Sequence, residues 1–334
     1  MNKFKDFKIG IIGSGYWATN IVKTLEDGGL KKIFIYDSDR SKTELVKEKF
    51  KHIKIINNLN KIINLNIDCF FLVTPASTHF KIAKKIINKK KDLFIEKPVT
   101  LKSKNIQELI KNSNKNKTIL MSGYIYNYNV YIKFINKILK NKILGKIKYL
   151  YLERCNLGPI RNDTSCIWDL ASHDISTAIF LLKKKPIIKN VQVFNLLKKK
   201  KYDISNITLN IDSIKVEIKS SWINPEKTRK LIIIGEKKML QFDEVSKNNK
   251  IKIYNKYATY YPNLLKNFSK KIFSPTANIK VGKTFEPKIN FVSPLKTEIS
   301  HFFECVKNRR KPITDGFYAK NISQVIEKIE KKIN

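Results

Sequence analysis

The chain has 334 residues, of which 42% are hydrophobic, and a formal net charge of +39 at pH 7. This length accommodates two domains that each bury a core, and the hydrophobic fraction excludes a wholly disordered chain. No apolar run approaches the roughly 18 residues of a membrane span, and the first residues lack a signal peptide's long apolar region. The four cysteines form no CxxC pair, so we expect no metal site, no disulfide framework and a cytoplasmic location.

The excess of basic residues raises the question of nucleic-acid binding. Only six of the 67 basic residues are arginine, although specific phosphate and base recognition favours the planar guanidinium group. Lysine is instead spread along the whole chain beside abundant isoleucine and asparagine, as an AT-rich coding sequence would produce. We therefore expect no specific nucleic-acid partner.

Short apolar runs alternate with helical periodicities over the first 123 residues. The apolar runs predict strands at FKIGIIG, KKIFIYD, DCFFLVTP, DLFIEKP and TILMSGY. The periodic segments predict helices at YWATNIVKTLEDGG, RSKTELVKEKF, HFKIAKKIINKK and SKNIQELIKNSN. This β-α-β alternation predicts an α/β fold with a parallel, doubly wound sheet in a first domain of residues 1–123.

The pattern changes from KIKYLYLERC onward, where long segments show partial apolar alternation. IIKNVQVFNLL, ISNITLNIDSIKVEIKSSW and RKLIIIGEKKMLQFDE predict a mainly antiparallel, open sheet. Helical segments flank it at WDLASHDISTAIFLL and LKTEISHFFECVKN. These elements predict a second α/β domain over residues 124–334, with a long loop at 255–290.

Five of the eleven glycines lie within the first 29 residues. The stretch Gly13-Ser14-Gly15-Tyr16-Trp17-Ala18 has the G-x-G-x-x-G/A spacing of a dinucleotide-binding turn, between a predicted strand and a predicted helix. Gly13 permits the tight turn, Gly15 lets the backbone approach a pyrophosphate, and the helix N-terminus offers N–H groups to it. We therefore predict cofactor contacts from Gly13, Gly15, Tyr16 and Trp17.

An acidic residue, Asp37, ends the second predicted strand, 22 residues after Gly15. A carboxylate at this point suits a ribose 2′-hydroxyl and repels a 2′-phosphate, so NAD is the predicted cofactor. Arg40 follows three residues later and leaves NADP open as the alternative.

Polar residues also follow the next predicted strands. The segment VTPASTH supplies Thr74, Pro75 and His79, and the segment EKP supplies Glu96 and Lys97. The carboxyl ends of parallel strands are the edge where such sheets bind ligands.

Taken together, these motifs resemble the glucose–fructose oxidoreductase/inositol dehydrogenase/rhizopine-catabolism (Gfo/Idh/MocA) oxidoreductases. The resemblance rests on GSGYWATN, on the two segments just described, and on a later Asp169…His173 pair; the stretch PLKTEISHFFECVKNRRKPITDG extends it over nearly the whole chain. It implies an N-terminal Rossmann domain and a C-terminal α/β domain whose open sheet often forms an oligomer interface. A homo-oligomer through that sheet is therefore expected.

The resemblance also implies roles for individual residues. Lys97 would be the catalytic lysine, which hydrogen-bonds the reacting oxygen and relays its proton. Thr74, Pro75, His79, Glu96 and Lys97 itself would lie at the cofactor. His79 would cap or pack near the nicotinamide rather than perform chemistry.

Asp169 and His173 are four residues apart, so on a helix they would share a face. Members of the family use this pair to bind and deprotonate the sugar. We assign His173 as the base and Asp169 as its orienter or as a substrate ligand, and expect ordinary structural roles for His52 and His301.

One departure from the family pattern narrows the expected substrate. Many relatives carry a glycine pair just before the Asp…His helix, whereas this chain has TSCIWDLASHD. With GYWATN and LERCNLGPIRND, this version resembles the branch found in surface-polysaccharide and nucleotide-sugar biosynthesis. Arg154 and Arg161 could then reach a substrate's phosphates, with a surface ion pair as the alternative, and Tyr126 and Asn127 would line the nicotinamide and sugar cleft.

The expected function is NAD-dependent oxidation of a sugar secondary alcohol. The expected substrate is a UDP-linked N-acetylamino sugar or its uronic acid, oxidised at C3. Two alternatives stay open: an inositol or free-sugar dehydrogenase that uses the same residues, and a non-catalytic sensor that binds NAD and a sugar.

Overall fold

The computed structural model describes residues 1–161, 164–197, 202–260 and 277–333. In chain order the strands are β1 (Lys8–Ile12), β2 (Lys32–Tyr36), β3 (Ile53–Ile55), β4 (Cys69–Leu72), β5 (Asp92–Glu96), β6 (Leu120–Gly123), β7 (Ile147–Leu157), β8 (Pro186–Phe194), β9 (Ile204–Ile211), β10 (Ile214–Ser221), β11 (Ile223–Gly235), β12 (Met239–Asp243), β13 (Ile251–Tyr260) and β14 (Ala277–Phe285). The helices are α1 (Tyr16–Asp27), α2 (Arg40–Lys49), α3 (Leu59–Asn64), α4 (Ala76–Asn88), α5 (Ser103–Asn116), α6 (Val130–Lys140), α7 (Ser172–Leu182), α8 (Pro294–Asn308) and α9 (Gly316–Ile333). Short helical turns add Asn2–Phe4, Ile125–Tyr128 and Ile167–Ala171.

The chain divides into two compact units. The first unit comprises Met1–Asn129 and Val292–Glu327, and the second comprises Val130–Phe291 and Lys328–Asn334. This division differs from the domains expected at 1–123 and 124–334, because a segment near the C-terminus belongs to the first unit.

The first unit is built on a six-stranded sheet in the order β3-β2-β1-β4-β5-β6. Every neighbouring pair in this sheet runs parallel. All residues of β4 and β5 are buried, as expected for central strands that are covered on both faces. The predicted doubly wound parallel sheet is confirmed.

Aromatic packing explains why the late segment belongs to the first unit. Phe302 and Phe303 of α8 are fully buried. The Phe302 ring lies 5.4 Å from that of Phe71 and 5.8 Å from that of Phe94, centroid to centroid. Since buried aromatic rings contribute large apolar areas to a core, α8 completes the core of the parallel sheet.

The second unit contains an eight-stranded sheet in the order β14-β13-β12-β11-β7-β10-β9-β8. Only β7 and β10 pair in parallel; the other neighbouring pairs are antiparallel. Along β9 each second residue is buried, so one face of this strand packs inward and the other is more exposed. The predicted mainly antiparallel sheet is confirmed.

The predicted long loop at 255–290 is wrong for residues 255–260 and 277–285, which belong to the strands β13 and β14. β13 and β14 pair antiparallel there, with Ala258 opposite Ile279. β14 is an edge strand that carries lysines and exposed apolar residues. Residues 261–276 lie outside the described residues. Sequence patterns also left β3, α3, α6 and α9 unassigned.

The described residues were considered for two kinds of partner, a membrane and a metal ion. None of the helices found there combines the length and the hydropathy that crossing a membrane requires. Within the same residues, no group of three or more His, Cys, Asp or Glu side chains is arranged to hold a metal ion.

Candidate active site

The glycine turn between β1 and α1 has the geometry of a phosphate cradle. Gly13 has a φ of +105°, and a Cβ added there would lie 2.9 Å from the carbonyl oxygen of Val73, so only glycine fits. A Cβ added at Gly15 would meet no heavy atom within 4 Å among the described residues. Gly15 is also the N-cap of α1 and supplies no side-chain cap. Open space beside a helix N-terminus fits the pyrophosphate of NAD.

Asp37 lies directly against this turn. Its Oδ2 accepts the backbone N–H of Ser14 at 2.7 Å and the Ser14 hydroxyl at 2.8 Å, and its Oδ1 accepts the N–H of Asp39 at 3.0 Å. The Ser38 hydroxyl adds a longer contact to Oδ1 at 3.4 Å. A carboxylate has about four acceptor positions, so a ribose hydroxyl would have to displace this long Ser38 contact. Asp37 and the glycine turn are therefore joined by hydrogen bonds within the first unit.

The other residues predicted around the turn differ in exposure. Tyr16 is 79% exposed and makes an edge contact with Trp17, which packs against the core of the first unit. Arg40 begins α2 and forms an exposed ion pair with Glu44 at 3.5 Å. Of these three residues, Tyr16 and Arg40 have side chains that a cofactor could reach without repacking of the core.

The segment after β4 is tied together by hydrogen bonds. The Thr74 and Thr78 hydroxyls lie 2.7 Å apart, and Pro75 is the N-cap of α4. His79, in the first turn of α4, is 1% exposed. Its Nε2 contacts the Thr74 carbonyl oxygen at 2.7 Å, and its Nδ1 contacts the carbonyl oxygen of Pro98 at 3.1 Å. Burial lowers the pKa of His79, which favours the neutral ring.

Lys97 follows β5 at the same edge of the sheet. Its backbone N–H donates to Oε2 of Glu96 at 3.0 Å. Burial raises the pKa of Glu96 to about 7, and the positive charge of Lys97 opposes that shift. Glu96 and Lys97 are therefore joined both by a backbone hydrogen bond and by electrostatic attraction.

Tyr126 and Asn127 lie in the short helical turn after β6. Tyr126 is half-buried, whereas Asn127 is fully buried and its Oδ1 accepts the Tyr318 hydroxyl at 3.3 Å. Asn127 thus has a packing role within the first unit, beside the substrate role expected for it.

In the second unit, Asp169 and His173 lie where the chain enters α7. Asp169 is in the π-helical turn Ile167–Ala171, and His173 is the second residue of α7. The expectation of one regular helix through both is therefore corrected: the first turn is wider. The Asp169 carboxylate accepts the indole N–H of Trp222 at 3.0 Å and lies 3.6 Å from the Arg161 guanidinium. Such wide turns are frequent at functional sites.

The two predicted arginines have different surroundings. Arg154 is buried on β7, and its guanidinium donates to the Asp174 carboxylate from Nη2 at 2.8 Å and from Nε at 3.2 Å. The phosphate-binding role expected for Arg154 is not supported, because the strand's alternation turns it inward with Leu150 and Leu152. Arg161 is partly exposed and stays close to Asp169.

Sequence reasoning missed two residues that contact predicted ones and a buried acid, Glu298, that interacts electrostatically with Glu96. Trp222 binds Asp169 and Asp174 binds Arg154, and neither pairing has a local sequence signal. Glu298 is fully buried on α8. It has a signal: its position belongs to the apolar face that also carries Leu295, Ile299 and Phe302, where a carboxylate is unusual.

Comparisons with known proteins agree with this architecture. Residues 7–124 match the Gfo/Idh/MocA model, described as an oxidoreductase family with an NAD-binding Rossmann fold. The chain is 27% identical over 202 residues to UDP-N-acetylglucosamine 3-dehydrogenase of Acidithiobacillus ferrooxidans, covering 59% of this chain and 62% of that protein. It is 24% identical over 184 residues to myo-inositol 2-dehydrogenase of Thermotoga maritima, covering 52% and 54%. Both alignments span less than two thirds of the relative's length.

A solved structure extends the likeness of fold to nearly the full chain. A structure of the Acidithiobacillus enzyme superposes with a TM-score of 0.79 at 19% identity, covering 97% of this chain and 96% of that one. At this identity the superposition shows the fold alone. Residues 7–124 are thus an NAD-binding Rossmann domain of the Gfo/Idh/MocA oxidoreductase family, and the glycine turn and Asp37 lie within it.

Proposed function

We propose that the protein is an NAD-dependent dehydrogenase that oxidises a sugar secondary alcohol, specifically that of a UDP-linked N-acetylamino sugar or its uronic acid at C3. The observation that carries the proposal is Lys97, held by Glu96 at the ligand-binding edge of an NAD-binding sheet. The likeness to UDP-N-acetylglucosamine 3-dehydrogenase supports the choice of substrate. A 3-keto sugar product would suit an aminotransferase as the next reaction.

The first unit would hold the cofactor. The α1 N-terminus and the open space at Gly15 receive the pyrophosphate, and Asp37 receives the adenosine ribose. Bound NAD would supply the hydride acceptor. Since Asp37 repels a 2′-phosphate, we assign NAD rather than NADP.

Proton transfer is assigned to side chains of this chain. Lys97 hydrogen-bonds the reacting oxygen and relays its proton, and His173 acts as the base that removes it. Asp169, fixed by Trp222, binds the sugar or orients His173. The partly exposed Arg161 beside Asp169 is the arginine we assign to a substrate phosphate, because Arg154 is committed to Asp174.

The same residues could serve a polyol. The likeness to myo-inositol 2-dehydrogenase favours this second candidate, in which Arg161 would have no phosphate to bind. A non-catalytic sensor of NAD and a sugar is the alternative from another class. The presence of Lys97, Asp169 and His173 in one chain argues against it.

The deciding experiment is a panel of possible substrates: UDP-N-acetylamino sugars, their uronic acids, free sugars and polyols. Turnover of each compound is measured by the change in nicotinamide absorbance. NAD-dependent turnover of the UDP-linked sugars alone supports the proposal. Turnover of inositol or free sugars, but not of nucleotide sugars, selects the second candidate. Binding of NAD and a sugar without turnover of any compound selects the sensor.

We further propose a homo-oligomer formed through the second sheet. Ile279, Val281 and Phe285 are 61–71% exposed on the edge strand β14, and exposed apolar groups of this kind mark contact surfaces. All four cysteines are buried thiols, which supports the cytoplasm as the location.

A further inference from the structure

Glu96 is a buried acid directly before Lys97. It is the last residue of β5, is 7% exposed, and pairs in register with Gly123 of β6. A Cβ added at Gly123 would lie 2.9 Å from Cδ and Oε2 of Glu96. The carboxylate therefore lies over the neighbouring strand and fills the space that a side chain at 123 would need.

The same carboxylate fixes the backbone at Lys97. Its Oε2 accepts the Lys97 N–H at 3.0 Å, and burial shields this bond from water. A hydrogen bond to an ionised acceptor in a water-poor site is stronger than one between neutral groups. The position of Lys97 thus depends on the charge of Glu96 as well as on its length.

A second buried acid lies near Glu96. Glu298 is 0% exposed, and neither of its carboxyl oxygens has a hydrogen-bond partner within the described part of the chain. Burial and the ionised Glu96 raise the pKa of Glu298 well above its ordinary value. Two neighbouring carboxyl groups cannot both ionise at low cost. Glu298 therefore keeps its proton, and Glu96 is the acid of the pair that carries the charge beside Lys97 above its pKa of about 7.

The titratable groups around Glu96 come from each element packed against it. Lys97 follows it on the chain, Glu298 approaches from α8, and Tyr124 approaches from the segment after β6. Tyr124 is itself buried against Tyr318 of α9, with ring centroids 5.6 Å apart. Of these neighbours, only Lys97 carries a positive charge.

We propose that Glu96 is a positioning residue for Lys97: locked between the Lys97 amide and Gly123, its carboxylate holds the lysine backbone in place and supplies the negative charge beside the ammonium group. This inference rests on the proposed dehydrogenase function. It separates two contributions, one from the geometry of the carboxylate and one from its charge, and each can be removed alone.

The test compares Glu96→Gln, Glu96→Asp, Gly123→Ala and the control Glu298→Gln in the full chain. Glu96→Gln keeps an acceptor oxygen but removes the negative charge beside Lys97. The limb of the pH profile of kcat along which Lys97 loses its proton should therefore move to lower pH by about one unit. Glu96→Asp keeps the charge but withdraws the acceptor, so kcat should fall by about 10- to 100-fold with the limb unmoved. Gly123→Ala should resemble Glu96→Asp, and Glu298→Gln should resemble the wild type, because an amide mimics the protonated acid.

Fluorescence titration with NADH tests the alternative that Glu96 is a ligand of the cofactor. If Glu96→Gln and Glu96→Asp weaken NADH binding while kcat and its pH profile stay as in the wild type, Glu96 is a cofactor ligand and the proposal is overturned. Retention of wild-type kcat in both variants would overturn it equally. If Gly123→Ala does not fold, the comparison of the two Glu96 variants decides.

A second readout separates this inference from the proposed function. The pH dependence of Lys97 labelling by an amine-selective reagent, quantified by mass spectrometry, needs no turnover. If the wild type turns over no sugar, the proposed function fails. The pH dependence of Lys97 labelling then decides by itself whether Glu96 acts on Lys97. The labelling curve should move to lower pH in Glu96→Gln and not in Glu298→Gln; an unmoved curve rejects the proposal.

Discussion

The Asp37 carboxylate accepts two hydrogen bonds from Ser14, one from its amide at 2.7 Å and one from its hydroxyl at 2.8 Å. This contact joins the residue after β2 to the middle of the glycine turn, so the carboxylate is fixed before any ligand arrives. A fixed negative charge opposes a 2′-phosphate more strongly than a mobile one, because it cannot turn away at low cost.

The first prediction concerns cofactor preference. The wild type should bind NADH more tightly than NADPH, and Asp37→Ala should reduce that ratio by roughly tenfold or more, since one lost charge repulsion of about 1.4 kcal/mol is a factor of ten. Fluorescence titration with both cofactors measures it. Ser14→Ala keeps the carboxylate and should keep the preference. Tighter binding of NADPH by the wild type would show that Asp37 is wrongly assigned.

The second prediction concerns catalysis. Lys97→Ala and His173→Ala should each lower kcat by a factor on the order of 10² to 10⁴, because each removes a proton-transfer group. NADH affinity should change little, since neither residue is assigned to the pyrophosphate or the adenosine. Steady-state kinetics on the best substrate, with NADH titration as the control, measures both effects.

The double variant Lys97→Ala/His173→Ala sharpens this prediction. It should lose less activation free energy than the sum of the single variants, because residues that act as a unit are non-additive. Near wild-type turnover in Lys97→Ala would instead mean that the lysine takes no part in the reaction.

The third prediction separates the two arginines. Arg154→Met leaves the buried Asp174 carboxylate unpaired and should lower the free energy of unfolding by about 3 kcal/mol or more. Arg154→Met/Asp174→Leu should recover part of that loss. Arg161→Met should instead raise KM for a nucleotide sugar and leave stability nearly unchanged. Urea unfolding and steady-state kinetics distinguish the two patterns; a raised KM with full stability in Arg154→Met would contradict the structural role.

The fourth prediction concerns the pH dependence of stability. Burial and Glu96 raise the pKa of Glu298 above its ordinary value of 4.5. The stabilising contribution of Glu298 is therefore complete below pH 4.5 and is lost as pH rises toward the raised pKa. Glu298→Gln has no such loss. Its advantage in unfolding free energy over the wild type should grow by up to about 1.4 kcal/mol per pH unit above about pH 4.5.

Urea unfolding at a series of pH values measures this difference. Glu304→Gln on the same helix is the matched control, because Glu304 is exposed and the salt bridge with Lys3 lowers its pKa. A constant difference between Glu298→Gln and the wild type would show that Glu298 is already ionised at low pH.

The fifth prediction concerns assembly. If β14 forms a contact between copies, Val281→Glu should lower the molar mass measured by light scattering, because a charge would then be buried in an apolar interface. Lys283→Glu changes the charge on the same strand and serves as the control. A monomeric wild type would exclude the proposed oligomer.

The sequence predicted the elements whose patterning is local. β4 and β5 are buried on both faces and appear as uninterrupted apolar runs. The glycine turn was predicted because its residue types follow from the backbone they must adopt: only glycine tolerates the φ of Gly13.

What the sequence did not predict depends on contacts between distant residues. Whether Arg154 faces a ligand or Asp174 is decided by the register and facing of β7, and the hydrogen bond from Trp222 to Asp169 spans 53 positions. Glu298 could have been identified as an acid on an apolar helix face. Its proximity to Glu96 could not have been predicted from the sequence.

The packing of α8 has a consequence for how this protein is made. The aromatic core of the first unit contains Phe71 and Phe94 from its sheet and Phe302 and Phe303 from residues near the end of the chain. During synthesis the parallel sheet therefore emerges from the ribosome long before the helix that covers it. Until then those phenylalanines are open to chaperones and to other nascent chains. A fragment ending at residue 129 should keep the glycine turn yet be prone to aggregation.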